Sequence, residues 1–150
     1  MKRESIIQGF LICAALIFVV LASGCLSIGP TVRTYSGDKL QKSEVAVIKG
    51  WWMSTLLGYE GLDIFALDGN NLGATKVEVL PGKHGLIIRN YSYSFVTLSE
   101  TLPRYAGAEF NFEAGHEYKI NYRYKGILIE GVKIIDVTTG AIIREPSLYP

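Results

Sequence analysis

The sequence predicts an all-β protein, a small antiparallel sandwich of about seven strands, and three observations support this prediction. Seven short runs are rich in β-branched and aromatic residues. Clusters of Gly, Asn, Asp and Pro separate these runs, as expected of turns. No segment between the runs has the period of a convincing amphipathic helix. The predicted strands are Glu44–Lys49, Leu62–Leu67, Thr75–Leu80, Gly85–Tyr93, Ala108–Glu113, Glu117–Lys125 and Val132–Val137.

Length and charge narrow the classes of protein to which the chain can belong. A chain of 150 residues accommodates one domain with a single core. Its 15 Lys and Arg residues are balanced by 14 Asp and Glu residues, which argues against nucleic-acid binding and against steering toward acidic polymers. Only 19% of the residues are charged and 49% are hydrophobic, so the composition is not that of a disordered chain.

Residues 1–24 have the layout of a secretory signal peptide. Lys2 and Arg3 form a short basic region, and an apolar run extends from about Ile6 to Ala22. The alternative is an uncleaved signal anchor, since about 17 apolar residues come close to the shortest segment that spans a bilayer. In either case the basic residues hold the N-terminus in the cytoplasm, so we expect the rest of the chain beyond the inner membrane.

Three small residues, Ala22, Ser23 and Gly24, directly precede Cys25. This pattern resembles the lipobox of bacterial lipoproteins, although the usual Leu is replaced by Ala22. The resemblance implies cleavage after Gly24 and a lipid on the thiol of Cys25, which makes the membrane a partner through the lipid anchor. Leu26, where an Asp would stand in retained lipoproteins, resembles a sorting signal for the outer membrane. The expected location is the periplasmic side of the outer membrane, with the inner membrane as the alternative.

The remaining chain divides into a tether, a domain and a tail. Residues 25–43 contain Gly and Pro and have no regular hydrophobic period, which predicts a tether that begins at the lipidated Cys. Residues 44–145 contain all the predicted strands and form the domain, and residues 146–150 form the C-terminal tail. Within the domain, the segment Trp51–Tyr59 fits either a helical turn or an apolar loop, and the sequence leaves both open.

The clearest alternation of apolar and polar residues lies in the fifth and sixth predicted strands, which suggests a hairpin with one solvated face. A loop of five residues would place Glu113 opposite Lys119 and Glu109 opposite Arg123, so that opposite charges pair across the strands. A loop of three residues would instead place Glu113 opposite Glu117. We expect the longer loop because it avoids this like-charge pair.

Short motifs follow one another in a specific order along the domain: EVAVI, IFALDG, VEVLPGKHGLII, FNFEAGHEYKI and IIDVTTGAII. This order resembles a family of small proteobacterial lipoproteins of unassigned activity, and the PGKH turn is similar to that of PEGA-type domains. The resemblance covers about residues 44–145. It implies an Ig-like or PEGA-like β-sandwich of the kind found in envelope and surface proteins, and it brings no catalytic residues with it.

The sequence does not predict a metal or cofactor site. His84 and His116 each follow a Gly-containing turn, and neither has a second His or a Cys close by in the sequence, whereas zinc needs three or four ligands. We therefore expect capping or hydrogen-bonding roles for both. The segment Asp68–Gly73 begins like a calcium loop, but its fifth position is Leu and no Glu closes it. A hairpin turn fits its Asp-Gly pair better.

A catalytic site is not predicted either. The sequence has no G-x-S-x-G elbow and no recognisable Ser, His and acid trio. Glu109, Glu113 and Glu117 could supply paired carboxylates, but they occupy alternating positions that are typical of a solvated strand surface. We therefore expect a protein that is not an enzyme.

Aromatic side chains are the candidate binding residues, namely Trp51, Trp52, Tyr91, Tyr93 and Tyr105. Adjacent strand residues point to opposite faces, so Trp51 and Trp52 are hard to bury together, and an exposed Trp would suggest contact with a partner or a membrane. We expect an interaction module for an envelope protein or a cell-wall polymer in the periplasm. The alternatives are a carbohydrate-binding module that uses Tyr91, Tyr93 or Tyr105, and ordinary packing of these rings in the core.

Overall fold

A computed structural model describes residues 30–125 and 128–144. The predicted signal peptide, the cleavage and lipidation sites and the tail at 146–150 lie outside the described residues. The protein is all-β: most of the described residues lie in strands, and none of them lies in a helix. The strands are β1 (Val32–Arg33), β2 (Ala46–Lys49), β3 (Trp51–Thr55), β4 (Gly58–Leu67), β5 (Asn70–Ala74), β6 (Lys76–Val79), β7 (Gly82–Ser94), β8 (Ser99–Phe112), β9 (Glu117–Lys125), β10 (Leu128–Asp136) and β11 (Ile142–Arg144).

The strands form two open sheets. The first sheet has six strands in the order β1-β6-β2-β9-β10-β11, and two of its pairings, β1 with β6 and β2 with β9, are parallel. The second sheet has the order β3-β4-β7-β8, with β5 paired to the end of β4, and all its pairings are antiparallel. Strand β7 and its partner β8 are long, so this hairpin spans the full height of the second sheet.

The hydrophobic core lies between the two sheets, because alternate residues of each sheet point toward the other. The second sheet contributes fully buried side chains such as Leu62 and Ile88, and the first contributes Ile48, Ile120 and Ile134. These residues belong to a single apolar cluster, which is what holds the sheets together.

All seven predicted strands are confirmed, although β4, β7, β8 and β10 are longer than predicted and β2 and β6 are shorter. The structure adds β1, β3, β5 and β11. Strand β1 lies in the segment predicted to be a tether, where Val32 pairs with Val77 in parallel. Nearby, the hydroxyl of Tyr35 donates to the Glu78 carboxylate over 3.1 Å. Part of the predicted tether is therefore ordered against the first sheet.

The segment Trp51–Tyr59 is a β-hairpin, so both sequence interpretations, the helical turn and the apolar loop, are wrong. Strand β3 pairs with the start of β4, and the turn between them contains Leu56 and Leu57. Gly58 begins β4 with a φ of +155°, and a Cβ there would lie 2.0 Å from the carbonyl oxygen of Tyr93. A glycine at this position therefore lets the start of β4 approach β7 closely.

The predicted hairpin of the fifth and sixth strands is also wrong. Strand β8 pairs with β7, whereas β9 pairs with β2 and β10, so the two strands belong to different sheets. The predicted register therefore does not exist: Glu109 lies 2.5 Å from Lys83, and Glu113 lies 3.6 Å from His116.

Strands β8 and β9 lie in different sheets because their apolar faces meet across the core instead of lying side by side in one sheet. The ring of Phe112 meets that of Tyr118 edge-on with centroids 5.0 Å apart, and the hydroxyl of Tyr118 accepts a hydrogen bond from the backbone N–H of Glu113. Alternation identifies the solvated face of each strand, but it does not identify the neighbouring strand.

Candidate binding surface

The side of the second sheet that faces away from the core carries a group of aromatic rings. Strand pairing places Trp52 of β3 and Tyr91 of β7 on either side of Gly61, and it places Tyr59 of β4 directly beside Tyr93 of β7. Side chains that are paired in this way lie close together on one face of the sheet. We call Trp52, Tyr59, Tyr91 and Tyr93 the aromatic face.

The rings of the aromatic face contact one another. Tyr59 and Tyr93 are stacked, with centroids 5.4 Å apart and planes inclined by 16°. Tyr91 approaches Tyr59 edge-on at 6.3 Å, and Phe95 approaches Tyr93 edge-on at 5.4 Å. Such offset and edge-on contacts fix the rings relative to one another while all of them stay partly exposed.

A cleft of about 520 Å³ opens beside these rings. Trp52, Tyr59 and Tyr91 line one side, and Val32 lies among the residues that complete it. Gly61 is essential to this shape, because a Cβ there would lie 2.9 Å from the Cβ of Trp52 and 2.9 Å from the hydroxyl of Tyr91. The glycine leaves space between the two rings.

An ion pair lies next to the aromatic face. Asp63 is 3% exposed, and its carboxylate accepts hydrogen bonds from Nε and Nη2 of Arg89 at 3.2 and 2.5 Å. The guanidinium carbon of Arg89 lies 5.2 Å from the ring centroid of Phe65 and 5.7 Å from that of Tyr91. The carboxylate and the two rings therefore hold the charge of Arg89 in one position beside the cleft.

The protonation states in this region follow from these contacts. The hydrogen bond to Asp63 raises the pKa of Arg89, so the guanidinium stays charged. Burial raises the pKa of Tyr91, and the negative charge of Asp63 raises it further. The hydroxyl of Tyr91 is therefore a hydrogen-bond donor at neutral pH.

A second cleft, of about 430 Å³, shares Tyr59 and Tyr91 with the first. It adds polar groups: the Asp63–Arg89 pair, the hydroxyls of Ser92 and Thr101, and the carboxylate of Glu100. The two clefts together offer ring surfaces for packing beside donors and acceptors for hydrogen bonds, which is the composition expected of a binding site.

The structure brings some of the predicted binding residues together and separates others. Trp52, Tyr91 and Tyr93 share the aromatic face. Trp51 points to the opposite side of the sheet, where it is half-buried and meets Tyr122 edge-on at 5.2 Å. Tyr105 is paired with Arg89 in the strand register, further along the sheet, and packs edge-on against Phe65 at 5.1 Å.

Sequence reasoning missed two residues of this surface, Tyr59 and Asp63. Tyr59 could have been found if the segment Trp51–Tyr59 had been identified as a hairpin. In that hairpin Tyr59 pairs with Ser54, which lies on the same face of β3 as Trp52. Asp63 carries no such signal, since a buried carboxylate inside an apolar strand is explained only by its partner Arg89 on another strand.

His84 has the hydrogen-bonding role that the sequence predicted. Its Nδ1 lies 2.6 Å from Oδ2 of Asp68, and its Nε2 lies 3.0 Å from the carbonyl oxygen of Leu80. Asp68 and Gly69 have φ angles of +49° and +80°, and they form the turn between β4 and β5, which confirms the predicted hairpin turn. Burial acts to raise the pKa of Asp68, but its hydrogen bonds to His84 and Gly85 outweigh that effect and lower it.

His116 has an equivalent partner in the first sheet. Its Nδ1 lies 2.8 Å from Oδ2 of the buried Asp136. Burial acts to raise the pKa of Asp136, but hydrogen bonds from the Thr139 hydroxyl, from His116 and from the backbone at Thr138 outweigh it and lower the pKa to about 2. Within residues 30–125 and 128–144, no three His, Cys, Asp or Glu side chains are grouped as metal ligands would be.

Comparison of the chain with protein-family models, with curated proteins and with solved structures finds no match. No helix in the described ranges is both long and apolar enough to cross a membrane.

Proposed function

We propose that this chain is a lipid-anchored protein of the bacterial envelope, one of the small lipoproteins with an Ig-like, PEGA-like sandwich that its sequence resembles. The lipid is attached to Cys25 after the signal peptide is cleaved behind Ala22, Ser23 and Gly24. The domain faces the periplasm from the outer membrane. The basic start, the apolar run and the small residues before Cys25 support this proposal.

The domain acts as a non-catalytic binding module that contacts a protein or a cell-wall polymer. The observation that carries this proposal is the aromatic face with its cleft beside Trp52, Tyr59 and Tyr91. Trp, Tyr and Arg are the residues that most often contribute large binding energies at interfaces, and here rigid rings and the fixed Arg89 lie side by side. A partner would bury these rings without needing to reorder them.

A second candidate function, carbohydrate binding, is favoured by the second cleft. There the ring of Tyr91 lies beside the Asp63–Arg89 pair and the hydroxyls of Ser92 and Thr101. A sugar presents an apolar ring face and several hydroxyl groups, so it needs a flat ring and hydrogen-bonding groups in one place.

The anchor is tested by palmitate labelling of cells that express the wild type or Cys25→Ser, followed by fractionation of the membranes. We expect label in the wild type alone, with the protein in the outer-membrane fraction. Equal absence of label and recovery of both proteins with the inner membrane would show an uncleaved transmembrane anchor instead.

The binding surface is tested by photo-cross-linking of the full-length protein in cells, with a photoreactive phenylalanine in place of Tyr91. The matched control carries the same group at Asn111, an exposed residue of β8 at the end of the β7–β8 hairpin that is far from its turn. We expect a discrete cross-linked product from position 91 only, and its loss when Trp52→Ala is added. Cross-linking that is equal at both positions would refute a specific surface.

Carbohydrate binding is tested with Trp52 as the reporter. The chain contains two Trp residues, so Trp51→Phe leaves Trp52 as the only one. We expect soluble peptidoglycan fragments to change its emission in a saturable way, and Arg89→Lys to weaken that response, because Lys lacks the planar fork that binds Asp63. Emission that stays constant up to millimolar fragment would exclude this function.

A further inference from the structure

The two turns at one end of the second sheet form an exposed apolar surface. The turn between β3 and β4 lies against the turn between β7 and β8, since the N–H of Phe95 donates to the carbonyl of Leu57 over 2.8 Å. The exposed fractions reach 90% at Leu56, 76% at Leu98 and 72% at Val96. We call Leu56, Leu57, Phe95, Val96 and Leu98 the apolar tip.

The apolar tip is also free of charge. Residues 51–59 and 91–99 contain no Asp, Glu, Lys or Arg, in a chain in which 19% of the residues are charged. The nearest charged residues along the chain are Glu60 and Glu100, each at the base of its turn. An apolar medium could therefore cover the tip without burying a charge, which would be costly.

One leucine of the apolar tip has a strained backbone conformation. Leu98 has a φ of +50°, in the left-handed region that bulky residues avoid and that Gly and Asn adopt readily. Its side chain contributes little to the core because it is almost fully exposed. The side chain of Leu98 is therefore available for an apolar contact outside the domain.

The position of Pro30 relates the apolar tip to the membrane anchor. Pro30 lines the same cleft as Tyr91, together with Leu72 and Ala74 of β5. Five residues lead from Cys25 to Pro30, and a fully extended chain of that length spans about 18 Å. A lipid on Cys25 therefore keeps the cleft that Pro30 lines close to the bilayer surface.

A tether of this length keeps the second sheet close to the bilayer, and the two ends of the sheet differ in their surface. Along β7, Ser94 at the tip lies three residues beyond Tyr91, or about 10 Å. Gly82 at the opposite end lies nine residues away, or about 30 Å. The tip is therefore within reach of the bilayer, and it is the end that an apolar medium can cover, because the opposite end carries the charged pair of Lys83 and Glu109.

We propose that the apolar tip inserts into the same lipid bilayer that holds the anchor, so that the domain stands on the membrane at two points. This inference rests on the proposed lipid anchor at Cys25. Leu56, Val96 and Leu98 enter the acyl region, and the rings of Tyr59 and Tyr93 behind them lie at the headgroup level, where Tyr is favoured. The absence of charge predicts contact with uncharged lipid and little dependence on salt.

The experiment uses the full-length lipidated protein in phosphatidylcholine vesicles whose acyl chains carry bromine, a quencher of Trp fluorescence. Trp51→Phe and Trp52→Phe remove the two natural Trp residues, and Leu56→Trp then places a single probe at the tip. Asn111→Trp in the same background is the control at the opposite end. We expect brominated lipid to lower the emission at position 56 about twofold or more and to leave position 111 unchanged.

Other occupants of the tip give different results, and each would overturn the proposal. Quenching at position 111 alone means an inverted domain, and equal quenching at both positions means a domain that lies flat. Emission from position 56 that is already blue-shifted without lipid, increases with protein concentration and is insensitive to bromine means that a second copy covers the tip. A probe at position 56 that behaves as in free solution means that the tip stays in water.

Matched variants separate the tip from general surface hydrophobicity. Val96→Asp with Leu98→Asp should abolish quenching at position 56, whereas Val137→Asp with Ile142→Asp, which changes two exposed apolar residues elsewhere, should not. Flotation of vesicles and palmitate labelling report the anchor independently. A labelled, floating protein with an unquenched tip refutes the inference and leaves the proposed anchor standing, whereas an unlabelled protein refutes both.

Discussion

The two halves of the long β7–β8 hairpin differ in what stabilises them. In the half formed by residues 82–90 and 104–112, alternate side chains such as Ile88 and Phe112 are completely buried between the sheets. In the half formed by residues 91–103, no large side chain is buried, and Val96 and Leu102 are mostly exposed. One half of the same hairpin therefore belongs to the core, and the other extends beyond it.

This difference shows that the residues that stabilise the fold and the residues available for contact with a partner lie in different halves of the hairpin. Burial of apolar surface stabilises the core half, whereas the extended half depends on its backbone pairing and on the stacking of Tyr59 with Tyr93. Elements with few buried contacts tolerate substitution and open more readily. We expect changes in the core half to alter the free energy of unfolding, and changes in the extended half to alter contacts with membrane or partner.

The largest expected effect compares two phenylalanines of this hairpin. Phe112→Ala should lower the free energy of unfolding by about 3 to 5 kcal/mol, because it leaves a cavity between the sheets. Phe95→Ala should lower it by less than about 1 kcal/mol, because that ring is 46% exposed. Urea unfolding of the detergent-solubilised full-length protein measures both. Equal losses would contradict the division of the hairpin into two halves.

The next effect concerns the ion pair at the boundary between the halves. Asp63 has a side chain that is 5% exposed, against 31% for Arg89. Arg89→Ala should therefore cost about 3 kcal/mol, because it leaves a buried carboxylate without its partner. Asp63→Ala should cost about 1 to 2 kcal/mol, because the remaining guanidinium can be hydrated.

The control for this ion pair is Lys83→Ala. Lys83 pairs with Glu109 on the surface, where both side chains are about two-thirds exposed, so its removal should change stability by less than about 0.5 kcal/mol. Thermal unfolding of the four proteins gives the comparison. A larger loss for Asp63→Ala than for Arg89→Ala would contradict the assignment of burial as the cause.

A pH-dependent effect should come from the first sheet. The native pKa of Asp136 is about 2, below its ordinary value of 3.8, so the unfolded state binds more protons than the native state between these values. The stabilisation by Asp136 is complete above about pH 5 and is lost as the pH falls toward 2. Its magnitude is on the order of 1 kcal/mol, allowing for screening by nearby solvent.

Thermal unfolding at pH 5 and pH 3 measures this effect in the wild type and in Asp136→Asn. The variant should lose less stability than the wild type on acidification, because Asn does not titrate. An identical pH dependence in both proteins would show that other carboxylates are responsible.

The smallest expected effect is a gain in stability at the apolar tip. Leu98→Asn should raise the free energy of unfolding by roughly 0.5 to 1 kcal/mol, because Asn adopts a positive φ at lower cost than Leu. The control is Leu102→Asn. Leu102 is also highly exposed, but its φ is not positive, so the substitution should not raise the free energy of unfolding. A loss of stability in Leu98→Asn would mean that the leucine contributes to the fold after all.

The strands and several turns could be predicted from the sequence because their signals are local. Alternation along Glu117–Lys125 reflects a side-chain period of two, and the Asp68–Gly69 pair reflects the positive φ angles of a tight hairpin turn. The segment Trp51–Tyr59 was misinterpreted because its strands are short and apolar on both sides. Such a run does not show a clear period.

The candidate surface could be predicted only in part. Exposure of one member of the Trp51 and Trp52 pair follows from the geometry of any strand, but the sequence does not decide which one. The meeting of Tyr59 with Tyr93, and of Asp63 with Arg89, depends on the pairing of β4 with β7. The two residues of each of these contacts are more than 25 positions apart in the chain.

The sequence by itself therefore determined the all-β class and the position of each predicted strand, because hydrophobic alternation and turn chemistry act over a few residues. Only the tertiary structure decided that β8 and β9 lie in different sheets, with Phe112 against Tyr118 across the core. Two strands with one apolar face each can bury those faces side by side or face to face. The choice depends on the other strands available for pairing, and no local pattern records it.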